Sequence, residues 1–219
     1  MKRASGPASV WSDAEYDYEL LEYIDGWTLE ELVRLNSGGV FGDLLTQWSR
    51  TLLGLLVELQ TAQPPIIHRD LRPANTMVRR ENLEFVLIDF TSAILFDPFK
   101  EANAVGTPGF APPEVLTGSP SPGSDVFSAG VTIYAMNSGN VPPNVLKRQY
   151  FGASLALADA EYEVDRVFAR MIAFDPERRF STAQEVLQSM ARPTWTQQYR
   201  RFKDFRLPDG RTIKQGGWF

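Results

Sequence analysis

The sequence predicts a mainly α-helical domain of the α+β class, a helical bundle in which short β-strands carry polar loops. Residues 43–60 place leucine and tryptophan side chains at helical spacing over a broad face, which is typical of a buried helix. Residues 124–134 form a second apolar helical stretch. Short apolar runs at 76–78 and 85–88 flank a polar turn and predict two strands.

Length and composition fit one large domain. The 219 residues are 43% hydrophobic, which is enough for a sizeable core. The net charge of −5 disfavours nucleic acid or an anionic membrane as a partner of the whole chain. The sequence has no cysteine, which excludes disulfides and thiolate metal sites, and its single histidine, His68, disfavours a zinc site.

Two terminal segments differ from the domain that we expect over residues 14–191. Residues 1–13 are small and polar, and they predict a flexible N-terminus without the apolar core of a signal peptide. No apolar run approaches the roughly 20 residues of a membrane span. We therefore expect an intracellular, cytoplasmic protein without membrane attachment. Residues 192–219 form a basic and aromatic C-terminal extension.

The domain is expected to begin with a strand, a turn and a short helix. Residues 16–24 alternate in their first half and predict a strand, which a turn at Asp25 and Gly26 closes. Thr28 and Glu31 form a capping-box pattern, which predicts the first turn of a helix.

Residues that suit a metal ion and a proton acceptor follow the long helix. Segment 68–75 reads His-Arg-Asp-Leu-Arg-Pro-Ala-Asn, and a later apolar run ends in Asp89. This spacing predicts loops between short strands that bring Asp70, Asn75 and Asp89 to one spot. Two carboxylates and an amide oxygen suit a hard cation such as Mg²⁺, and one of the acids could face a substrate hydroxyl.

Segment 68–75 matches the pattern H-R-D-L-x-x-x-N and so resembles the catalytic loop of the eukaryotic-type protein kinase family. The resemblance implies a kinase large lobe that transfers the ATP γ-phosphoryl group to a protein hydroxyl. Asp70 would accept the hydroxyl proton, and Asn75 and Asp89 would hold Mg²⁺. Arg72, in this catalytic set, stands where serine/threonine kinases usually carry a lysine. The alternative is a chance motif in a turn, with Asn75 and Asp89 as ordinary turn residues.

Residues 106–114 resemble the kinase segment that positions the peptide substrate, and they end in P-P-E where the family has A-P-E. The resemblance implies that Thr107 bonds near Asp70, as in serine/threonine kinases. It also implies a structural ion pair between Glu114 and Arg179, the last residue of a D-P-x-x-R pattern. Such distant charges are usually paired when they are buried.

The helix that contains Asp125 resembles the family's D-V-W-S-x-G helix, with Ser124 or Asp125 as its cap. The resemblance implies that Asp125 bonds the backbone of the catalytic loop. The sequence D-F-T at 89–91 departs from the family's D-F-G. Thr91 is β-branched and therefore predicts a stiffer start to the loop that follows.

The loop at 93–106 has no Ser, Thr or Tyr that phosphorylation could use to order it. Asp97 or Glu101 could instead offer a fixed negative charge to Arg69. Reversal of both charges should then disturb the order of the loop.

The first strand and helix resemble the kinase hinge and the helix after it. The resemblance implies that Leu21 lies at the back of the adenine pocket and that the backbone of Glu22 and Ile24 reads adenine. Residues 1–20 contain no G-x-G-x-x-G loop, and Lys2 is their single lysine. We therefore expect the small lobe to be missing from this chain, so that a partner or upstream sequence would have to supply it.

Two other functions stay open. A non-catalytic pseudokinase would dock a partner at its exposed hinge face. The intact Asp70, Asn75 and Asp89 disfavour this function. Small-molecule phosphotransferases of the aminoglycoside or choline type share a similar loop, but the patterns at 106–114 and 125–130 disfavour them.

The extension could bind single-stranded nucleic acid, because it interleaves basic and aromatic residues. We favour the other interpretation, in which its aromatic side chains pack on the lobe around a turn at 208–210. These aromatic residues are Trp195, Tyr199, Phe202, Phe205, Trp218 and Phe219.

Overall fold

The computed structural model describes residues 9–37, 39–40, 42–139, 163–190 and 204–214. The described helices are α1 (Leu29–Leu35), α2 (Gly42–Gln60), α3 (Pro113–Leu116), α4 (Pro122–Ser138), α5 (Glu163–Met171) and α6 (Ala183–Ser189). The described strands are β1 (Ser9–Ser12), β2 (Asp17–Leu20), β3 (Gly26–Thr28), β4 (Ile66–Ile67), β5 (Thr76–Arg79), β6 (Phe85–Leu87), β7 (Ile94–Leu95), β8 (Phe205–Arg206) and β9 (Thr212–Ile213). Helices with small antiparallel sheets agree with the predicted α+β class. No helix in this part of the chain is both long and apolar enough to cross a membrane.

The described chain starts with an exposed β-hairpin. β1 pairs with β2, and the Trp11 ring stacks on Tyr18 with centroids 5.5 Å apart. Ser9–Ser12 therefore forms a strand inside the segment 1–13, which we expected to be flexible. Of the strand predicted over 16–24, residues 17–20 form β2, and residues 21–25 have no regular structure.

A three-stranded sheet in the order β3–β5–β6 follows the hairpin, and α1 continues directly from β3. Gly26 opens β3 so close to β5 that a Cβ would overlap the carbonyl oxygen of Val78, and only glycine fits there. The predicted capping box at α1 is confirmed. Thr28 Oγ1 accepts the Glu31 N–H at 3.2 Å, and the Glu31 carboxylate accepts the Thr28 N–H at 2.8 Å.

Replacement of Thr28 by alanine should lower the free energy of unfolding by about 0.5–2 kcal/mol, because it removes the capping oxygen from the start of α1. Chemical denaturation measures the difference. Thr51→Ala is the matched control, because Thr51 lies inside α2, where alanine is the better helix former. Equal losses in the two variants would contradict a specific contribution of the cap.

Helix α2 forms the centre of the core, as its leucine spacing predicts. It packs against α4 and α6 with its apolar face buried. The Trp48 ring meets the Phe85 ring of β6 edge to face, with centroids 5.3 Å apart. At its end, the Gln60 amide donates to the Pro122 carbonyl at 3.0 Å and accepts the Ala183 N–H at 2.8 Å. The long helix therefore joins β6, α4 and α6.

Helix α4 begins earlier than the sequence suggested. Its N-cap is Ser121, whereas we expected Ser124 or Asp125. Pro122 occupies the first helical position, where its missing N–H leaves no bond unmade. Ser124 completes the cap from within the helix, since its Oγ accepts the Ser121 N–H at 3.0 Å.

Helices α5 and α6 complete the helical part. Gly130 of α4 permits close approach beside α5, because a Cβ there would lie 2.8 Å from Ile172 Cγ2. The sequence also predicts a last short helix over 182–190, with which α6 agrees, and Thr182 is its N-cap. The sequence also predicts helical segments over 155–174, and residues 155–162 of this range lie outside the described residues.

The C-terminal extension contains a hairpin that packs on the domain. β8 and β9 pair around the predicted turn, where the Gly210 N–H donates to the Leu207 carbonyl at 3.0 Å. Phe205 is fully buried, and its ring meets Trp48 with centroids 5.0 Å apart. At Phe205 the extension therefore packs as we expected. Its other aromatic residues lie outside the described residues, namely Trp195, Tyr199, Phe202, Trp218 and Phe219.

Candidate active site

Asp70 lies in the loop after β4, and three side chains surround its carboxylate. The Thr107 hydroxyl donates to Oδ1 at 2.6 Å, and the Asn75 amide donates to Oδ2 at 2.8 Å. Arg72 Nε lies 3.6 Å from Oδ2, which allows charge attraction but exceeds hydrogen-bond distance. The carboxylate is thereby held in one orientation while its side chain stays 17% exposed.

Asn75 connects the Asp70 loop with the strand pair β5–β6. It ends a 3₁₀ turn, and its amide also donates to the backbone carbonyl of Asp70 at 2.9 Å. The Ile88 N–H donates to the Asn75 carbonyl at 3.0 Å. Since Asp89 directly follows Ile88, this bond places the two predicted metal ligands on adjoining chain segments.

Asp89 has a left-handed backbone with φ of 61°, which is uncommon for a residue with a Cβ. Thr91 secures the turn, because its hydroxyl donates to Asp89 Oδ1 at 2.5 Å and its N–H donates to the same oxygen at 3.3 Å. The hydroxyl bond from Thr91 is the main reason that the pKa of Asp89 lies below its ordinary value. The exposed carboxylate is therefore ionised at neutral pH.

Asp125 fixes the backbone at the start of loop 68–75. Fully buried in the first turn of α4, it accepts the His68 N–H at 2.7 Å on Oδ2 and the Arg69 N–H at 3.0 Å on Oδ1. Arg69 has a φ of 65°, so these bonds hold a second left-handed residue. Burial raises the pKa of the Asp125 carboxyl, and the nearby His68 opposes that shift.

The Arg69 side chain ties loop 68–75 to the segment after Asp89. Its Nε donates to the Ser92 carbonyl at 2.5 Å, and Nη1 donates to the Asn103 carbonyl at 2.9 Å. Asp97 instead lies near Lys100, with 3.6 Å between Oδ2 and Nζ. Backbone carbonyls therefore occupy the place that we expected for an acidic side chain, since they match the fixed fork of guanidinium donors.

Glu114 and Arg179 form an ion pair, with 2.5 Å between Oε1 and Nη1. The Arg179 side chain is 1% exposed and that of Glu114 is 13% exposed. Ser124 Oγ also donates to Glu114 Oε1, at 2.9 Å. Arg179 donates further to the backbone carbonyls of Gly123, Ala173 and Phe174. The pair thereby fastens the end of segment 106–114 to the helical core.

The residues that we expected to read adenine lie in the connection 21–25 between β2 and β3, which has no regular structure. The Ile24 side chain is buried, whereas Leu21 is 50% exposed. The Glu22 carboxylate pairs with Arg79 Nη2 on β5 at 2.7 Å. The Glu22–Arg79 pair therefore holds this segment to β5, whereas the Leu21 side chain is exposed to solvent.

Sequence reasoning missed two contacts in this site. The His68 ring meets the Phe90 ring with centroids 4.8 Å apart, and no local pattern signals a contact between positions so far apart. The bond from Thr91 to Asp89 was also not foreseen, although Asp with a hydroxyl residue two positions later is typical of a side-chain-capped turn.

Comparisons with known proteins point to one family. The family model described as protein kinase domain matches residues 8–190. The chain is 29% identical to serine/threonine-protein kinase B of Synechocystis sp., over 84% of this chain and 34% of that protein. It is 28% identical to serine/threonine-protein kinase PknA of Nostoc sp., over 79% of this chain and 32% of that protein. Calcium-dependent protein kinase 10 of Arabidopsis thaliana is 34% identical, over 66% of this chain and 28% of that protein, so the chain spans about a third of these relatives' length.

Proposed function

Because the chain belongs to the protein kinase family, we propose that it transfers the γ-phosphoryl group of ATP to a serine or threonine hydroxyl of a protein. The observation that carries this proposal is the Asp70 carboxylate, held between Thr107 and Asn75. Two of the relatives are serine/threonine-protein kinases, which supports the choice of hydroxyl.

Asp70 would orient the substrate hydroxyl and accept its proton. Thr107 and Asn75 donate to different oxygens of its carboxylate, so the group is fixed before the substrate arrives. The Arg72 guanidinium, 3.6 Å from Oδ2, adds positive charge where the transferred group would carry negative charge.

The donor set beside Asp70 fits Mg²⁺. Asn75 uses Nδ2 for both of its hydrogen bonds to Asp70, and so its amide oxygen is the atom suited to a metal. Asp89 is exposed and ionised, and Thr91 occupies its Oδ1. Carboxylate and amide oxygens are the ligands that Mg²⁺ prefers. Bound Mg²⁺ would neutralise charge on the ATP phosphates.

Residues 21–25 would bind the adenine ring through the backbone of Glu22 and Ile24. Residues 1–20 offer neither a Gly-rich loop nor a strand lysine for the phosphates. We propose that sequence outside these 219 residues, or a partner chain, completes the phosphate-binding half. The exposed apolar side chains of residues 10–23 are the surface on which it would dock, and they are Val10, Trp11, Tyr16, Tyr18, Leu20, Leu21 and Tyr23.

The same exposed surface favours a second candidate function, a binding module that docks a partner without catalysis. An isolated two-stranded hairpin is marginally stable in water, so a docked partner would stabilise the pair β1–β2. Such a module would need neither the ordered Asp70 carboxylate nor the ionised Asp89.

A nucleotide-binding and transfer experiment separates these two functions. Mg²⁺-dependent ATP binding and phosphoryl transfer are measured on the chain alone and on the chain joined to a kinase small lobe. We expect transfer by the joined protein, and loss of transfer when EDTA removes Mg²⁺ or when Asp89→Asn weakens the metal site. Absence of transfer and of nucleotide binding by the joined protein would overturn the kinase proposal and favour the binding module.

Replacement of Thr91 by valine should raise the Mg²⁺ concentration needed for nucleotide binding by about tenfold, because an outer-shell partner that orients a ligand is worth about 10–100-fold in metal affinity. Valine keeps the branched shape and removes the hydroxyl that donates to Asp89. Mg²⁺ titrations of nucleotide binding measure the change. Thr91→Ser is the control and should retain most of the affinity, whereas equal midpoints in all three proteins would contradict the role of the hydroxyl.

A further inference from the structure

The hairpin β8–β9 lies beyond the part of the chain that resembles the kinase family. The family model matches residues 8–190, and the hairpin occupies residues 205–213. Phe205 and Leu207 are nevertheless buried, at 0% and 3% exposure, and both belong to the central core of the domain. The hairpin is therefore an integral part of this fold, and its function is not explained by the family match.

Two contacts fix the position of the hairpin. The Phe205 ring is inserted against Trp48 of α2. Asn36, the C-cap of α1, exchanges two hydrogen bonds with the backbone of Arg206: its Nδ2 donates to the carbonyl at 2.9 Å, and its Oδ1 accepts the N–H at 2.8 Å. Because the side-chain amide both donates to and accepts from the backbone of one residue, it fixes the distance of the hairpin from α1 and its position along the contact.

The turn of the hairpin contacts Arg80, and Arg80 contacts the hinge segment, residues 21–25. Arg211 Nη2 donates to the Arg80 carbonyl at 2.6 Å, and Asp209 Oδ2 lies 3.7 Å from Arg80 Nη1. Arg80 in turn donates through Nε to Asp25 Oδ1 at 3.1 Å and through its N–H to the Asp25 carbonyl at 2.9 Å. Asp25 is the last residue before β3, so the hairpin connects with the segment proposed to bind adenine.

Trp27 lies at the centre of this arrangement. Its ring is 7% exposed, and both guanidinium groups lie over it, with Arg80 at 4.9 Å and Arg211 at 5.9 Å from the ring centroid. Each cation over an aromatic face adds attraction. The preceding Gly26 has no space for a Cβ against β5, so the start of β3 has little freedom to shift.

We propose that the C-terminal hairpin, through Arg211 and Arg80, is a positioning element that holds the hinge segment 21–25 against the end of β5. Arg211 acts through Arg80 and does not itself touch the nucleotide. Its effect on nucleotide affinity rests on the proposed function, whereas its effect on the mobility of the hinge does not. The hinge segment is exposed at Leu21, and the contacts that hold it are the pair of Glu22 with Arg79 and the bonds from Arg80 to Asp25.

Amide hydrogen exchange on the chain and on two arginine variants tests this inference. Arg211→Gln removes the bond to Arg80, the pair with Asp209 and the cation over Trp27. Arg206→Gln is the matched control, because Arg206 joins the contact through its backbone and its side chain is exposed. We expect exchange in residues 21–28 to accelerate by about fivefold or more in Arg211→Gln, as a coupling of ordinary size requires, with unchanged exchange in α2 and α4.

The outcomes separate the inference from the proposed function. Unchanged exchange at 21–28 in Arg211→Gln, or equal acceleration throughout the domain, overturns the inference, since the second result indicates a structural role alone. In the joined protein, the nucleotide dissociation constant should rise by about fivefold in Arg211→Gln and stay unchanged in Arg206→Gln. If no protein binds nucleotide while hinge exchange still accelerates, the proposed function fails and the inference stands.

Discussion

Replacement of Asp70 by asparagine should lower the rate of phosphoryl transfer by about 10²–10⁴-fold, the usual contribution of a positioned general base. Asparagine keeps the size of the side chain and removes the carboxylate that would accept the hydroxyl proton. Nucleotide affinity should change little, because adenine and Mg²⁺ contact other residues in the proposed arrangement. The transfer rate and the nucleotide dissociation constant are measured on the protein joined to a kinase small lobe.

The substitution also has a local structural cost that must be measured. With Oδ1 still accepting the Thr107 hydroxyl, the new amide group would face the Nδ2 donor of Asn75. Loss of one such bond costs about 0.5–1.5 kcal/mol, so denaturation must show that the variant remains folded. Asp97→Asn makes the same chemical change at a residue paired with exposed Lys100, and its rate should equal that of the parent protein. An Asp70→Asn rate within tenfold of the parent would contradict the role as base.

The contact between Asp70 and Asn75 could be predicted because the two residues lie in one short segment. Segment 68–75 holds its charged and amide residues at fixed spacing, and its loop is bounded by short strands that the apolar pattern also indicates. The contact between Thr107 and Asp70 spans 37 positions, yet a motif at each end was enough to suggest it. The long helix followed from its leucine spacing alone.

Other contacts could not be predicted, because each depends on a partner that the local sequence does not identify. Phe205 is one of several aromatic residues in the extension, and nothing in its neighbours shows that it enters the core beside Trp48. The strand β1 lies in a small and polar opening segment, and its contact is the stacking of Trp11 on Tyr18 across the hairpin. The local sequence of that segment does not indicate this contact. The cap of α4 was misplaced because Ser121 and Ser124 are both good caps, and the proline after Ser121 decides between them.

Replacement of Arg179 by methionine should lower the free energy of unfolding by about 3–5 kcal/mol, as expected when one partner of a buried ion pair is removed. The Glu114 carboxylate would keep only the Ser124 hydroxyl among its present partners, and it is 13% exposed. The three backbone carbonyls that accept from Arg179 would lose these hydrogen bonds as well. Arg178→Met is the control: the side chain is exposed, and such changes usually stay within about 0.5 kcal/mol.

A double variant separates the two parts of this cost. Glu114→Leu in the Arg179→Met background removes the unpaired carboxylate, so stability should rise again. Recovery should remain partial, because the carbonyls of Gly123, Ala173 and Phe174 would still lack the bonds that Arg179 donates. Full recovery would mean that the charge pair alone matters, and no recovery would mean that the carbonyl bonds do. If Arg179→Met matched Arg178→Met in stability, the pair would not be what fastens segment 106–114 to the core.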